Sequence, residues 1–172
     1  VNYVVRKSLE NAVQMEYKAL TDDMTGAYNK NRLIELLNNR ERDGQDIAVI
    51  YWDVNQLKYV NDNWGHLCRD RLITEVAKTI QSIAREEDIV IRYGGDEFLL
   101  YVANGTKEIA EQLIKTWKVR LEEEKKRENY EFPVSASVGY ALGKHSQLKD
   151  IIAAADKDMY ANKRICRESY QS

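Results

Sequence analysis

The run "IAVIYWDV" at residues 47–54 is apolar at almost every position, and this limits the fold more than any other feature. A strand with one wet face alternates polar and apolar residues; one that is apolar on both parities has to be covered on both faces. The run therefore predicts a central strand with helices above and below it. Apolar residues at helical spacing supply candidates: Leu33, Ile34, Leu36 and Leu37 in a helix from about 30 to 42, and Leu72, Ile73, Val76, Ala77, Ile80 and Ile83 in one from about 67 to 85. Further helices are predicted over about 107–128 and 147–167.

Residues 89–102, "IVIRYGGDEFLLYV", place two glycines and two adjacent carboxylates between two β-branched and aromatic runs. This is the pattern of a tight hairpin. Pro133 precedes another strand at about 134–141, and the polar segment "NQLKYVNDNWGH" after residue 54 reads as a connection. The order is ααβαββαβα, an α/β (α+β) domain with four strands legible in the residues and helices on the faces of one sheet.

The first 20 residues carry Val1, Val5, Leu9, Val13, Tyr17 and Leu20 at helical spacing. They read either as a helix packed on its own domain or as a linker helix that pairs with another copy. The division expected is a linker or signalling helix at 1–20 and one domain at 21–172. The abrupt opening inside a helical pattern suggests a piece of a longer protein.

The net charge of −2, from 28 acidic and 26 basic residues, makes a nucleic-acid polymer a poor partner. A small polyanion, such as a nucleotide, needs only a few placed cations. Cys68 and Cys166 are far apart and the chain has two histidines, so neither a zinc site nor a disulfide framework is expected, and a reducing cytoplasm fits. The apolar runs are too short to span a membrane.

Asp53 ends the central strand, and Asp96 and Glu97 sit at the hairpin tip. If those strands are neighbours, the carboxylates converge, and converging carboxylates raise one another's pKa unless a cation lies between them. Oxygen ligands without His or Cys suit Mg²⁺ or Mn²⁺. Lys58 suits a phosphate, and Asn61 with Asp70 suits the donors and acceptor of a guanine edge. Lys163 and Arg167 stand four apart on one helical face, where they could clamp a triphosphate. Capping, salt bridging and solvated helix-end cations remain open for each of these residues.

Beyond those residues, "RYGGDEF" at 92–98 matches the signature of the GGDEF family of diguanylate cyclases. The resemblance extends through "DDMTGAYNK", "DVNQLKYVNDNWGHLCRD", "SASVGYA" and "ADKDMYANKRICR", in family order from 22 to 167. It implies a mostly antiparallel five-stranded sheet, similar to the palm of nucleotide cyclases and polymerases, and the condensation of two GTP into cyclic di-GMP by two domains face to face. It also implies catalytic roles for Asp53, Asp96 and Glu97, with Asp53, Asp96 and the Val54 carbonyl as magnesium ligands. Lys58, Lys163 and Arg167 resemble phosphate-binding positions, Asn61 and Asp70 guanine readers, and Gly94 and Gly95 places where backbone approaches the nucleotide. "REED" at 85–88 resembles the family's inhibitory site, in which Arg85 and Asp88 would bind the product; as a bare sequence it is also an ordinary helix end. A silent module that binds GTP or cyclic di-GMP is the alternative reading.

The chain departs from the family pattern in five places, one of them Leu57 where the pattern has Phe. Asn55 stands for the second Asp of DxD, Arg69 for the Gly before the guanine-reading Asp, Asn162 for Ala, and Cys166 for Gly.

Overall fold

A computed structural model describes the backbone of residues 2–171 and the side chains of residues 2–165. The apolar run becomes the interior strand β1 (Asp46–Val54), paired on one side with β3 (Glu97–Ala103) and on the other with β4 (Ala136–Lys144). A short strand, β2 (Ile89–Arg92), completes the hairpin, and the order across the sheet is β2-β3-β1-β4. Each neighbouring pair is antiparallel.

Parity along β1 explains its apolar continuity. Ala48, Ile50, Trp52 and Val54 enter one core with Phe98, Leu100 and Val102, while Ile47, Val49 and Tyr51 enter the opposite core with Leu99 and Tyr101. The first core is closed by α4 (His66–Ile83) and α5 (Lys107–Glu128), where Trp117 meets Trp52 edge to face at 5.8 Å between centroids. Such a contact adds about 1 kcal/mol to the burial itself. The second core is closed by α2 (Lys30–Asn38) and α6 (Leu148–Gln171), through Leu33, Leu36, Ile151, Ala155 and Met159.

Four strands agree with the residue pattern and correct the five that the family resemblance implied. On the outer edge of β2 there is only a single-residue bridge, Tyr28 to Ile91. The segment "NQLKYVNDNWGH" contains a helix, α3 (Leu57–Trp64), rather than a plain connection. Leu57, Val60 and Trp64 share one face and pack on the first core, but in eight residues with Val60 alone fully buried that stripe is too short to stand out in the sequence. The helix predicted to 42 stops at Asn38, because Asn39 turns away and its side chain caps a 3₁₀ turn at Arg40–Arg42.

The first helix, α1 (Asn2–Leu20), buries none of its residues. Val5, Leu9, Val13 and Tyr17 are each more than half exposed, which disfavours packing against its own domain. Val1 lies outside the described residues.

Candidate active site

The end of β1 and the start of β3 are held in register with Asp53 opposite Glu97. The hydrogen bond from the Val54 amide to the Asp96 carbonyl, 2.8 Å, extends that pairing past the last strand residue. Strand adjacency thus brings Asp53 and Asp96 together, while Glu97, opposite Asp53 in register, turns its carboxylate to Tyr51.

Asp53 and Asp96 are partly buried and repel each other. Burial, and then the adjacent Asp53 carboxylate within hydrogen-bonding reach, push the Asp96 carboxyl above its ordinary value. Asp53 Oδ2 accepts from Lys163 Nζ at 2.8 Å, whereas Asp53 Oδ1 is buried with no protein partner. A buried, orphaned carboxylate oxygen is costly unless something satisfies it. Among the described residues no group of three or more His, Cys, Asp or Glu side chains is arranged for a metal ion. Two carboxylates and a carbonyl nevertheless fit magnesium, which takes few protein ligands and fills its shell with water and phosphate oxygens.

Glu97 lies against the opposite wall. Its carboxylate accepts from the buried hydroxyl of Tyr51, two residues before Asp53 on the same face of β1. Burial and then Asp156 raise the Glu97 carboxyl, while Lys30 and Lys163 act against that rise. Sequence reasoning missed Tyr51, although the period of two along β1 places it on the Asp53 face.

The glycine turn is braced by a residue that sequence reasoning quoted without assigning. Arg92 Nη1 contacts both oxygens of Asp22 at 3.1 Å, and Nη2 donates to the Gly95 carbonyl at 2.7 Å. Thr25 also donates to Asp22 through its amide and its hydroxyl. Burial raises the Asp22 carboxyl, but these hydrogen bonds and the Arg92 charge outweigh it and hold the carboxyl below its ordinary value. The two glycines differ: a Cβ on Gly94 would come within 3.0 Å of Glu97 Oε1, whereas one on Gly95 would meet nothing within 4 Å. Gly94 makes room for Glu97, and Gly95 faces open space.

A cleft of about 540 Å³ opens beside Asp96. Met24, Leu57 and Ile73 form its apolar floor, and Asp70 with Arg69 stands on its rim. Lys58 is exposed on the first turn of α3, and Asn61 is half-buried on the second. The structure thus gathers Asp53, Asp96, Glu97 and Lys163, and gives Asp70 a cleft in common with Asp96. The Arg167 side chain lies outside the described residues.

Two of the five departures, Asn55 and Asn162, serve the scaffold. Asn55 donates to Ser135 Oγ at 3.1 Å and accepts from Ser137 Oγ at 3.0 Å, so it ties the end of β1 to β4. Asn162 donates to the Val138 carbonyl at 2.8 Å, fastening α6 to the sheet one residue before Lys163. Arg85 and Asp88 sit at the other end of the β2–β3 hairpin from the carboxylates. Arg85 Nη2 bonds Asp88 at 2.9 Å and the Ala103 carbonyl at 2.7 Å, and the Asp88 side chain is fully buried.

Residues 19–169 match the family model described as "Diguanylate cyclase, GGDEF domain". The chain is 32% identical over 168 residues to the probable diguanylate cyclase DgcJ of Escherichia coli, covering 91% of this chain and 33% of that protein. It is 28% identical to the diguanylate cyclase VdcA of Vibrio cholerae, covering 92% of this chain and 48% of that one. It is also 34% identical to the Escherichia coli cyclic di-GMP phosphodiesterase PdeR, over 84% of this chain and 22% of that protein. The chain thus spans half or less of the length of these relatives. Among solved structures, the coiled coil and GGDEF domain of DgcB from Caulobacter crescentus, in complex with c-di-GMP, superimposes with a TM-score of 0.81 at 26% identity, covering 95% of this chain and 90% of that one.

Proposed function

The chain belongs to the diguanylate cyclase GGDEF domain family, and from that membership we propose that it condenses two GTP molecules into cyclic di-GMP and two pyrophosphates. The observation that carries this reading is the buried, unpartnered Asp53 Oδ1 beside the raised carboxyl of Asp96. Together they form a pocket of negative charge that calls for a divalent cation.

In this reading Asp53, Asp96 and the Val54 carbonyl hold Mg²⁺ or Mn²⁺. The chemistry a bound magnesium supplies is a lower pKa for the attacking 3′-hydroxyl and neutralisation of the leaving pyrophosphate. Glu97, oriented by Tyr51, receives the hydroxyl proton or steadies the hydroxyl before attack. Lys163 exchanges its Asp53 contact for phosphate oxygens, joined by Lys58 and Arg167. Asn61 and Asp70 read guanine, and Gly95 lets the hairpin backbone approach the nucleotide. Each 3′-oxygen attacks the α-phosphorus of the other GTP, and the α–β phosphoanhydride bonds break.

One domain offers one such site, so the reaction requires two copies. Residues 1–20 serve as the linker helix, with the exposed stripe of α1 as the pairing surface, and a sensor lies elsewhere in a longer chain. Arg85 and Asp88 bind the product as a brake. A GTP-consuming reaction belongs in the cytoplasm, and no described helix is long and apolar enough to cross a membrane.

A second reading, a silent module that binds GTP or cyclic di-GMP, draws on the engagement of Asp70 by Arg69 and on the likeness to a phosphodiesterase. The deciding experiment is incubation of the protein with GTP and Mg²⁺ and identification of the products. Cyclic di-GMP and pyrophosphate support the cyclase; nucleotide binding without turnover supports the silent module.

A further inference from the structure

Arg69 takes the place of the glycine that precedes the guanine-reading aspartate in the family pattern, and its side chain is not free in solvent. Nε and Nη2 both donate to Asp70 Oδ1, at 3.2 and 3.1 Å. The two residues are similarly exposed, 38% and 39%, on the rim of the cleft that ends at Gly95 and Asp96. Because both bonds land on one oxygen, Asp70 Oδ2 and Arg69 Nη1 take no partner among the described residues. The cleft edge therefore keeps a free donor on Arg69 and a free acceptor on Asp70, in a cleft also lined by Met24, Leu57 and Ile73.

We propose that Arg69 is a specificity-determining residue that reads a purine base jointly with Asp70, the pair forming a donor–acceptor edge complementary to O6 and N1–H of guanine. Arginine donating to guanine O6 or N7 is the commonest specific contact to that base, and a carboxylate oxygen accepts from N1–H. Adenine presents an amino donor where guanine has O6, and an acceptor where guanine has N1–H. It therefore opposes both members of the pair. The floor takes the face of the base, and the existing ion pair fixes the guanidinium before the ligand arrives, so little side-chain entropy is lost on binding. This inference rests on the functional reading above and adds to it a residue that the family pattern does not supply.

The test is equilibrium binding of GTP, ITP and ATP to the whole chain in Mg²⁺, comparing the parent with Arg69→Gly and Arg69→Gln. Arg69→Gly should weaken GTP about tenfold or more while ATP binding is unchanged or tightened. ITP retains O6 and N1–H and should weaken by the same factor. Arg69→Gln, which keeps an uncharged donor, should recover part of the loss. Equal weakening of GTP and ATP would mean that the charge acts on the phosphates, and unchanged or tighter GTP would mean that Arg69 merely shields Asp70; either overturns the proposal alone. A parent that binds no GTP overturns the functional reading and this inference with it.

Discussion

Lys163 on α6 donates to Asp53 at the end of β1 across 2.8 Å, and it is the cation nearest the proposed metal ligands among the contacts seen. It also acts against the rise of the Asp96 and Glu97 carboxyls. Lys163→Met should therefore raise both carboxyls further. The folded protein would then hold protons over a wider pH range than the unfolded chain, so stability would fall more steeply as pH rises. Melting temperatures in EDTA from pH 5 to 8 should diverge from the parent with increasing pH. Parallel curves would show that Lys163 does not compensate this cluster.

Asp96→Asn removes one of two carboxylates that destabilise each other. Because the folded carboxyl ionises above its unfolded value, the native state loses stability as pH rises through the folded value, and the amide removes that loss. Without metal, the variant should melt at least as high as the parent at pH 8. It should form no cyclic di-GMP, and the rise in melting temperature that magnesium gives the parent should disappear. A variant that still gains stability from magnesium would remove Asp96 from the ligand set.

Gly139 on β4 faces α6 so closely that a Cβ would lie 2.1 Å from the Met159 amide nitrogen and 2.6 Å from the Asp158 carbonyl carbon. These are backbone atoms, so Gly139→Ala can be accommodated only by moving the helix. We expect a loss of roughly 3 kcal/mol in urea unfolding, with turnover impaired as well, since Lys163 rides on the same helix. A near-parent midpoint would show that α6 shifts freely.

Arg85→Ala should relieve inhibition by added cyclic di-GMP while initial turnover stays near the parent value. It also leaves the buried Asp88 carboxylate with only the residue 85 amide among its present partners. A stability loss of about 1–3 kcal/mol should therefore accompany the relief. Identical inhibition curves for variant and parent would reduce "REED" to a structural turn.

Leu9→Asp places a charge in the exposed stripe of α1. If that stripe joins two copies, sedimentation should show a shift from dimer to monomer, and turnover per domain should fall at the same protein concentration. The unfolding midpoint of the domain should not change, because Leu9 is exposed and α1 meets the domain only near its C-terminal end. A dimer that survives the substitution would place the contact elsewhere.

The layers were legible because burial on both faces of β1 writes itself as an uninterrupted apolar run, and the register of Asp53 opposite Glu97 followed from strand adjacency. α3 was not legible because it is short: eight residues, entered through Gln56 in a left-handed conformation at φ 59°, give its Leu57, Val60 and Trp64 face only two turns. Tyr51 and Arg92 were hidden for another reason. Each reads as an ordinary strand residue, and its use becomes visible only when Glu97 or Asp22, distant in sequence, arrives beside it. Arg69 was visible as a departure, but its bond to its own neighbour was not.

The interior position of β1 also constrains how the gene can change. Asp53 keeps register with Glu97 on one side and Ser137 on the other. One inserted codon within the strand would send Asp53 to the opposite face and expel Trp52 from its core in the same step. Length changes in the Asp43–Gln45 turn, at the opposite rim, lie outside the strand and leave that parity intact. The neighbouring Asn104–Gly105 turn has no such freedom, because a Cβ on the buried Gly105 would lie 2.5 Å from the Ala48 amide nitrogen.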